Sequence, residues 1–101
     1  MASRLQLQTE LEELLGSRNV YFQPPASVRM QYPAIVYSRS NIENRHADNN
    51  VYMQSCFYEI TVIDEDPDSE IVEKVSKLPA CRFDRHYKAD NLNHDVFTLY
   101  Y

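Results

Sequence analysis

Hydrophobic residues recur along this chain with two different periods. Over residues 3–15, Leu7, Leu11, Leu14 and Leu15 recur at a spacing that gathers one apolar stripe on a helix, while Glu10, Glu12 and Glu13 lie off it. Gly16 follows directly, where a left-handed C-terminal cap costs glycine least. A helix this short persists only if its stripe is packed against something. Val20, Tyr21 and Phe22 then predict a short strand that ends before Pro24 and Pro25, since proline cannot donate to a ladder. A second strand is expected over residues 34–39. The polar run over residues 40–50 has no period and predicts a long loop or the mobile tip of a hairpin.

Residues 51–63 carry the strongest strand signal, almost free of breakers and rich in aromatic and β-branched side chains. Tyr52, Gln54, Cys56, Tyr58, Ile60 and Val62 alternate with Val51, Met53, Ser55, Phe57, Glu59, Thr61 and Ile63, so both faces are substantially apolar. An antiparallel sheet with helices on one side normally shows a polar second face; here a further cover is expected. A second helix follows, with Asp66 as the expected N-cap, Pro67 at the first helical position and Ile71, Val72, Val75 and Leu78 as its stripe. Pro79 ends it. Cys81, Phe83, Arg85 and Tyr87 alternate with Arg82, Asp84 and His86 in a fourth strand. After a turn over residues 90–93, a fifth strand is expected over residues 96–101. The order α-β-β-β-α-β-β predicts a single α+β domain over residues 1–101, a mainly antiparallel sheet of about five strands with two helices packed on one face.

The composition narrows the function. The chain has 101 residues, which is one core, and 44% apolar against 25% charged residues argues against global disorder. A net charge of −5 repels phosphate, so no specific nucleic-acid binding is expected. Neither a membrane span nor an apolar signal core is present in the pattern, which predicts synthesis in the cytoplasm. The single glycine excludes a phosphate-binding loop. Eight tyrosines and no tryptophan suit either a sheet core or a protein interface.

Candidate chemistry is sparse. Asp64, Asp66, Asp68 and Glu70 open like a calcium loop, but Ser69 stands where the loop needs glycine and Val75 where it needs an acid, so helix capping is the better reading. His46, His86 and His94 have no zinc spacing, and Cys56 and Cys81 fit reduced, buried positions. A Cys81–His86 nucleophile pair is disfavoured because period two places the two on opposite faces of one strand. The stretch from Arg82 through Lys88 interleaves cations with aromatics, interrupted by Asp84, and is expected to be solvated or paired with another subunit. No catalytic residue, cofactor or metal is expected.

A resemblance adds to this reading. Tyr32-Pro33-Ala34-Ile35-Val36-Tyr37, Asp48-Asn49-Asn50-Val51-Tyr52, Tyr58-Glu59-Ile60-Thr61-Val62-Ile63-Asp64 with Pro67-Asp68-Ser69, and the finish from Leu92 to Tyr101 follow the N-terminal helix in that order. Together they resemble the small tail-completion or tail-terminator proteins of long-tailed bacteriophages. The resemblance implies a non-enzymatic virion subunit, assembled in the host cytoplasm as a homo-oligomeric ring, often of six copies. Such a ring sits at the head-proximal end of the tail tube and joins it to the head connector. Its partners would be further copies of itself, the tail tube protein and a connector or stopper protein, with DNA passing through the ring. On that expectation Arg39, Arg45, His46, Asp48, Tyr52, Tyr58, Arg82, Arg85 and Tyr100 are the candidate contact residues. The alternatives are another head–tail connector component, or a small enzyme or regulator using Cys56 or a loop histidine.

Overall fold

The computed structural model describes residues 4–47 and 50–101, with side chains described outside residues 41–55. Helix α1 (Arg4–Leu15) is followed by strands β1 (Val20–Phe22), β2 (Ala34–Ala47) and β3 (Asn50–Asp64), helix α2 (Glu70–Ser76), and strands β4 (Cys81–Ala89) and β5 (Leu92–Tyr100). The five strands form one sheet in the order β1-β2-β3-β5-β4. Only the short β1–β2 pair is parallel; the other three pairs are antiparallel. This is the α+β fold that the two periods predict.

Both helices lie on one face. Leu7 and Leu11 of α1 and Val75 of α2 join a single buried cluster with Ile35 and Tyr37 of β2, Cys56, Tyr58, Ile60 and Val62 of β3, and Phe97 and Leu99 of β5. Register explains the grouping: Tyr37 pairs with Ile60, and Ile60 with Phe97, so one row of side chains crosses the sheet beneath the helices. Helix α1 is tied down by polar groups as well. The Tyr37 hydroxyl donates to Gln8 Oε1 at 2.5 Å and accepts from Arg4 at 3.1 Å, and Gln8 Nε2 donates to the Val20 carbonyl at 3.1 Å. The Arg4 guanidinium lies 4.5 Å from the Phe22 ring centroid. Gly16 closes the helix at φ 79°, its N–H donating to the Glu12 carbonyl.

Three local expectations are corrected. Residues 40–47 are not a loop: β2 continues through them, paired to β3 as far as Ala47 opposite Asn50. Asp48 and Asn49 lie outside the described residues. The cap of α2 is Ser69, not Asp66. Ser69 Oγ accepts from the Ile71 N–H at 3.2 Å. Asp66 instead accepts from the Asp68 N–H at 2.9 Å, after Asp64 accepts from the Asp66 N–H at 3.1 Å. These are two side-chain-closed turns in series, the local bonding that lets aspartate compete with a helix start. Finally, β5 starts at Leu92, because the turn is only Asp90 and Asn91, both with positive φ (53° and 62°). Positive φ at both positions gives a two-residue hairpin turn whose twist matches the strands.

Candidate interaction site

The sheet is much longer on one side than the other. β1 covers β2 only at residues 35–37, and β5 covers β3 only from Phe57, with Tyr101 N–H reaching the Cys56 carbonyl at 3.0 Å. Beyond those limits β2 and β3 pair only with each other. They form a two-stranded arm of roughly 20 Å, given the usual strand rise over residues 41–47. The molecule measures 52 × 27 × 23 Å, with a radius of gyration of 14.7 Å against about 13 Å for a compact chain of this size. A bulge between Arg39 and Asn41 marks the base of the arm, and a second irregularity follows between Arg45 and His46. Bulges bend and twist a strand, and here they fall at the base of the arm and again near its tip.

A third bulge, between Phe83 and Arg85, rearranges the fourth strand. Asp84 is the extra residue. Cys81 and Phe83 pair with Leu99 and Phe97, but past the bulge Arg85 pairs with Val96 and His86 with Asp95. Strict alternation put Arg82 and Arg85 on opposite faces; the bulge places both on the face away from the helices. It also puts Cys81 and His86 on one face rather than two. They stand opposite Leu99 and Asp95, a separation of about 13 Å along the strand, which is far beyond hydrogen-bonding reach. Burial pushes the Cys81 thiol up, away from the thiolate a nucleophile needs. His86 Nδ1 is instead 2.7 Å from Asp95 Oδ1, a link between the edge strand and its neighbour. Among the described residues no cluster of His, Cys, Asp and Glu could hold a metal ion, and no helix is long and apolar enough to cross a membrane.

The open face carries Ile63, Thr61, Glu59 and Phe57 of β3, Val96, Thr98 and Tyr100 of β5, and Arg82, Arg85 and Tyr87 of β4. It is neither a second core nor a solvated polar face. Ile63 and Val96 are buried, while Phe57, Thr61 and Thr98 are half-buried. The Phe57 and Tyr100 rings meet edge to face at 5.1 Å, and Tyr87 stacks on His94 at 4.6 Å. Phe57, Arg82, Thr98 and Tyr100 line a hollow of about 440 Å³ there, together with Ala80 and Cys81.

A larger groove of about 590 Å³ lies on the helix side, between Glu10, Glu13 and Leu14 of α1, Leu78 and Pro79, and Leu99 and Tyr101. Its floor is apolar and its α1 rim acidic. Burial, with Glu10 hydrogen-bonded to it, raises the Tyr101 phenol above its ordinary value.

The nine candidate contact residues therefore separate. Arg82, Arg85 and Tyr100 are brought together on the open face, all exposed. Arg85 also pairs with Asp84 at 2.6 Å. Arg39 is exposed at the base of the arm, its guanidinium 5.9 Å from the Tyr58 ring centroid. Tyr58 is not a contact residue: it is 2% exposed and belongs to the core, as its shared parity with Ile60 and Val62 explains. Arg45 and Tyr52 are placed in the arm by their backbone, with His46 opposite Val51. Asp48 lies outside the described residues. The sequence pattern predicts the β3 side of the arm from Val51 on but not the extension of β2 through residues 40–47, because a ribbon outside the core needs no apolar alternation. The one available signal is that residues 49–58 contain no charge, proline or glycine. No protein-family model matches this chain, and no curated protein is similar to it in sequence.

Proposed function

We propose that the protein is a structural ring subunit at the head-proximal end of a phage tail tube, terminating the tube and joining it to the head connector. The observation that carries this reading is the arm. An isolated two-stranded ribbon is marginally stable in water, and this one projects from a small domain with both outer backbone edges unpaired by the rest of the subunit. That is a layout for holding neighbouring copies. The order of elements in the fold is also the order in which the sequence resembles the tail-terminator group. In a virion such a subunit needs no cofactor, and its work is done by surfaces: further copies of itself, the tube below and the connector above.

The test is assembly. Native mass spectrometry and electron microscopy of the protein, alone and with purified tail tubes, are expected to show one closed ring or a cap on one tube end. Removing the gene from a phage that carries it is expected to leave unjoined heads and overlong tubes. Normal tubes with heads that leak DNA would reassign the protein to another connector position. A strictly monomeric protein that binds no tube would overturn the reading.

A further inference from the structure

Two of the free edges of this sheet, the outer edges of β4 and of β3 in the arm, differ in kind. The outer edge of β4 is nine residues long, and every side chain from Arg82 to Lys88 is exposed. It carries Arg82, Arg85 and Lys88 against Asp84, a net +2 in a chain of net −5, and it is bulged. Charges and a bulge are what keeps an edge from pairing with its own kind. The outer edge of β3 in the arm, residues 50–55, carries no charge, proline or glycine, and its one irregularity is at Tyr52, between the pairs Arg45–Met53 and His46–Val51.

We propose that residues 50–55 of β3 in one copy pair along the outer edge of β4 in a second copy, so that the arm of each subunit extends the sheet of the next. This rests on the chain being an assembling subunit and not on its place in a tail. Three observations favour this occupant. The lengths match, since the free arm edge fits within β4. Pairing β4 with β4 would set Arg82, Arg85 and Lys88 of two copies against each other, which costs stability. The arm has the opposite sign, with Glu43 and Asp48 against Arg45 in the sequence over residues 41–56. The contact uses two different surfaces, so it is head-to-tail, and it closes into a ring or runs on as a filament according to its rotation.

The alternation of an antiparallel ladder names the residue that tests it. Counted back from the two-residue turn at Asp90 and Asn91, the closing pair Ala89–Leu92 is hydrogen-bonded, so Lys88 turns its N–H outward. Lys88→Pro removes an edge donor and no ladder bond within the subunit. The complementary variant joins Glu43 to Ser55, which face each other across the ribbon, through Asn-Gly and deletes the arm between them. Each variant alone is expected to be a folded monomer by circular dichroism and native mass spectrometry. Mixed, they are expected to give a 1:1 dimer and nothing larger, since one supplies the arm and the other the edge. Arg82→Glu, which leaves every backbone group in place, is expected to weaken wild-type assembly at least tenfold. Self-association of the Lys88→Pro variant would mean arm-to-arm pairing, and self-association of the trimmed variant would mean β4-to-β4 pairing; either overturns the proposal, as does a wild-type chain that stays monomeric. Rings that form regardless of both changes would leave the tail reading standing without this contact. Filaments or dimers that depend on both would leave the contact standing without the tail.

Discussion

The two hairpins of this protein are built from similar strands and end differently. In β4–β5 both strands stay within the sheet: a two-residue turn closes them, and β5 lies between β3 and β4 with Val96, Phe97 and Leu99 at most 1% exposed. In β2–β3 the strands run to 14 and 15 residues and leave the sheet halfway. As far as the Ile42–Cys56 pair, β2 and β3 are held by β1, β5, Tyr101 and both helices; beyond it, among the described residues, the two strands pair only with each other. The chain thus builds one half of the long hairpin into its own core and leaves the other half paired only to itself. Stability and assembly should therefore respond to different residues, and the predictions below test that division.

The largest effect is expected at the end of β5. Deleting residues 99–101 removes Leu99, 1% exposed in the core, the Tyr100 ring packed on Phe57, and the Tyr101 N–H bond to Cys56. A fully buried leucine alone is worth about 1.5–3 kcal/mol, and each aromatic ring adds burial. Against a domain stability of about 5–15 kcal/mol, this should unfold most of the population at moderate temperature. Thermal and urea melts would show it. A truncated protein that melts like wild type would mean that β5 is not the central support.

Next is the polar tie between α1 and β2. Tyr37→Phe keeps the ring contacts with Phe22 and Tyr58 but removes the hydroxyl that bonds Gln8 and Arg4. A loss of about 0.5–1.5 kcal/mol is expected for such a bond. The same variant has a pH signature. Burial raises the Tyr37 phenol above its ordinary value of 10.0, so the folded state holds its proton after the unfolded state has lost it. That contribution is fully present below the unfolded value and is lost as pH rises through the folded one. Tyr37→Phe should accordingly flatten the fall in stability above pH 10. An unchanged alkaline slope would show that Tyr37 is not the group responsible.

The start of α2 supplies a smaller contrast. Ser69→Ala removes the cap on Ile71 and should cost about 0.5–2 kcal/mol. Asp66→Ala removes only an exposed turn bond to Asp68 and should cost less. If Asp66→Ala proves the more damaging of the two in equilibrium unfolding, the helix begins where the sequence pattern first placed it, at Asp66.

How far the chain could be understood in advance follows from the same physics. Leu7 and Leu11 were legible because helical spacing has few competing explanations, and Ile60 and Val62 because alternation over a long breaker-free run does too. The cap was missed because Asp66-Pro67 and Ser69 both satisfy cap chemistry, and side-chain turns at Asp64 and Asp66 delay the helix by three residues. The pairing of Arg82 with Arg85 on one face was hidden because a bulge needs no special residue: Asp84 looks like any strand position until it is counted against Val96 and Phe97. Tyr58 was offered as a contact residue because tyrosine suits interfaces, whereas its parity with Ile60 already pointed to the core. The candidate surface was only partly legible for a related reason. Its defining feature is where neighbouring strands stop, and composition does not record that.

The smallest effect on stability, and the most telling for the comparison, is expected when the arm is cut off. In the trimmed variant, with Glu43 joined to Ser55 through Asn-Gly, every residue of the buried cluster remains, from Leu7 and Leu11 through Tyr37, Tyr58 and Ile60 to Phe97 and Leu99. The strand pairs lost are those between β2 and β3 beyond Glu43, which no third strand supports. A shorter connection also lowers the entropy cost of closing the hairpin, by only about 0.6 kcal/mol per halving of loop length for a flexible loop. The two contributions oppose each other, and the melting temperature of the isolated subunit should stay within a few degrees of wild type, a shift of about 1 kcal/mol or less for a domain of this size. Hydrogen exchange should agree: amides of β5 exchange only on global unfolding, while those of residues 41–47 and 50–55 exchange by local opening in the free subunit and slow down on assembly. A trimmed subunit that loses several kcal/mol would show that the arm folds back onto its own domain, and the division between a self-sufficient half and a half completed by a neighbour would fail.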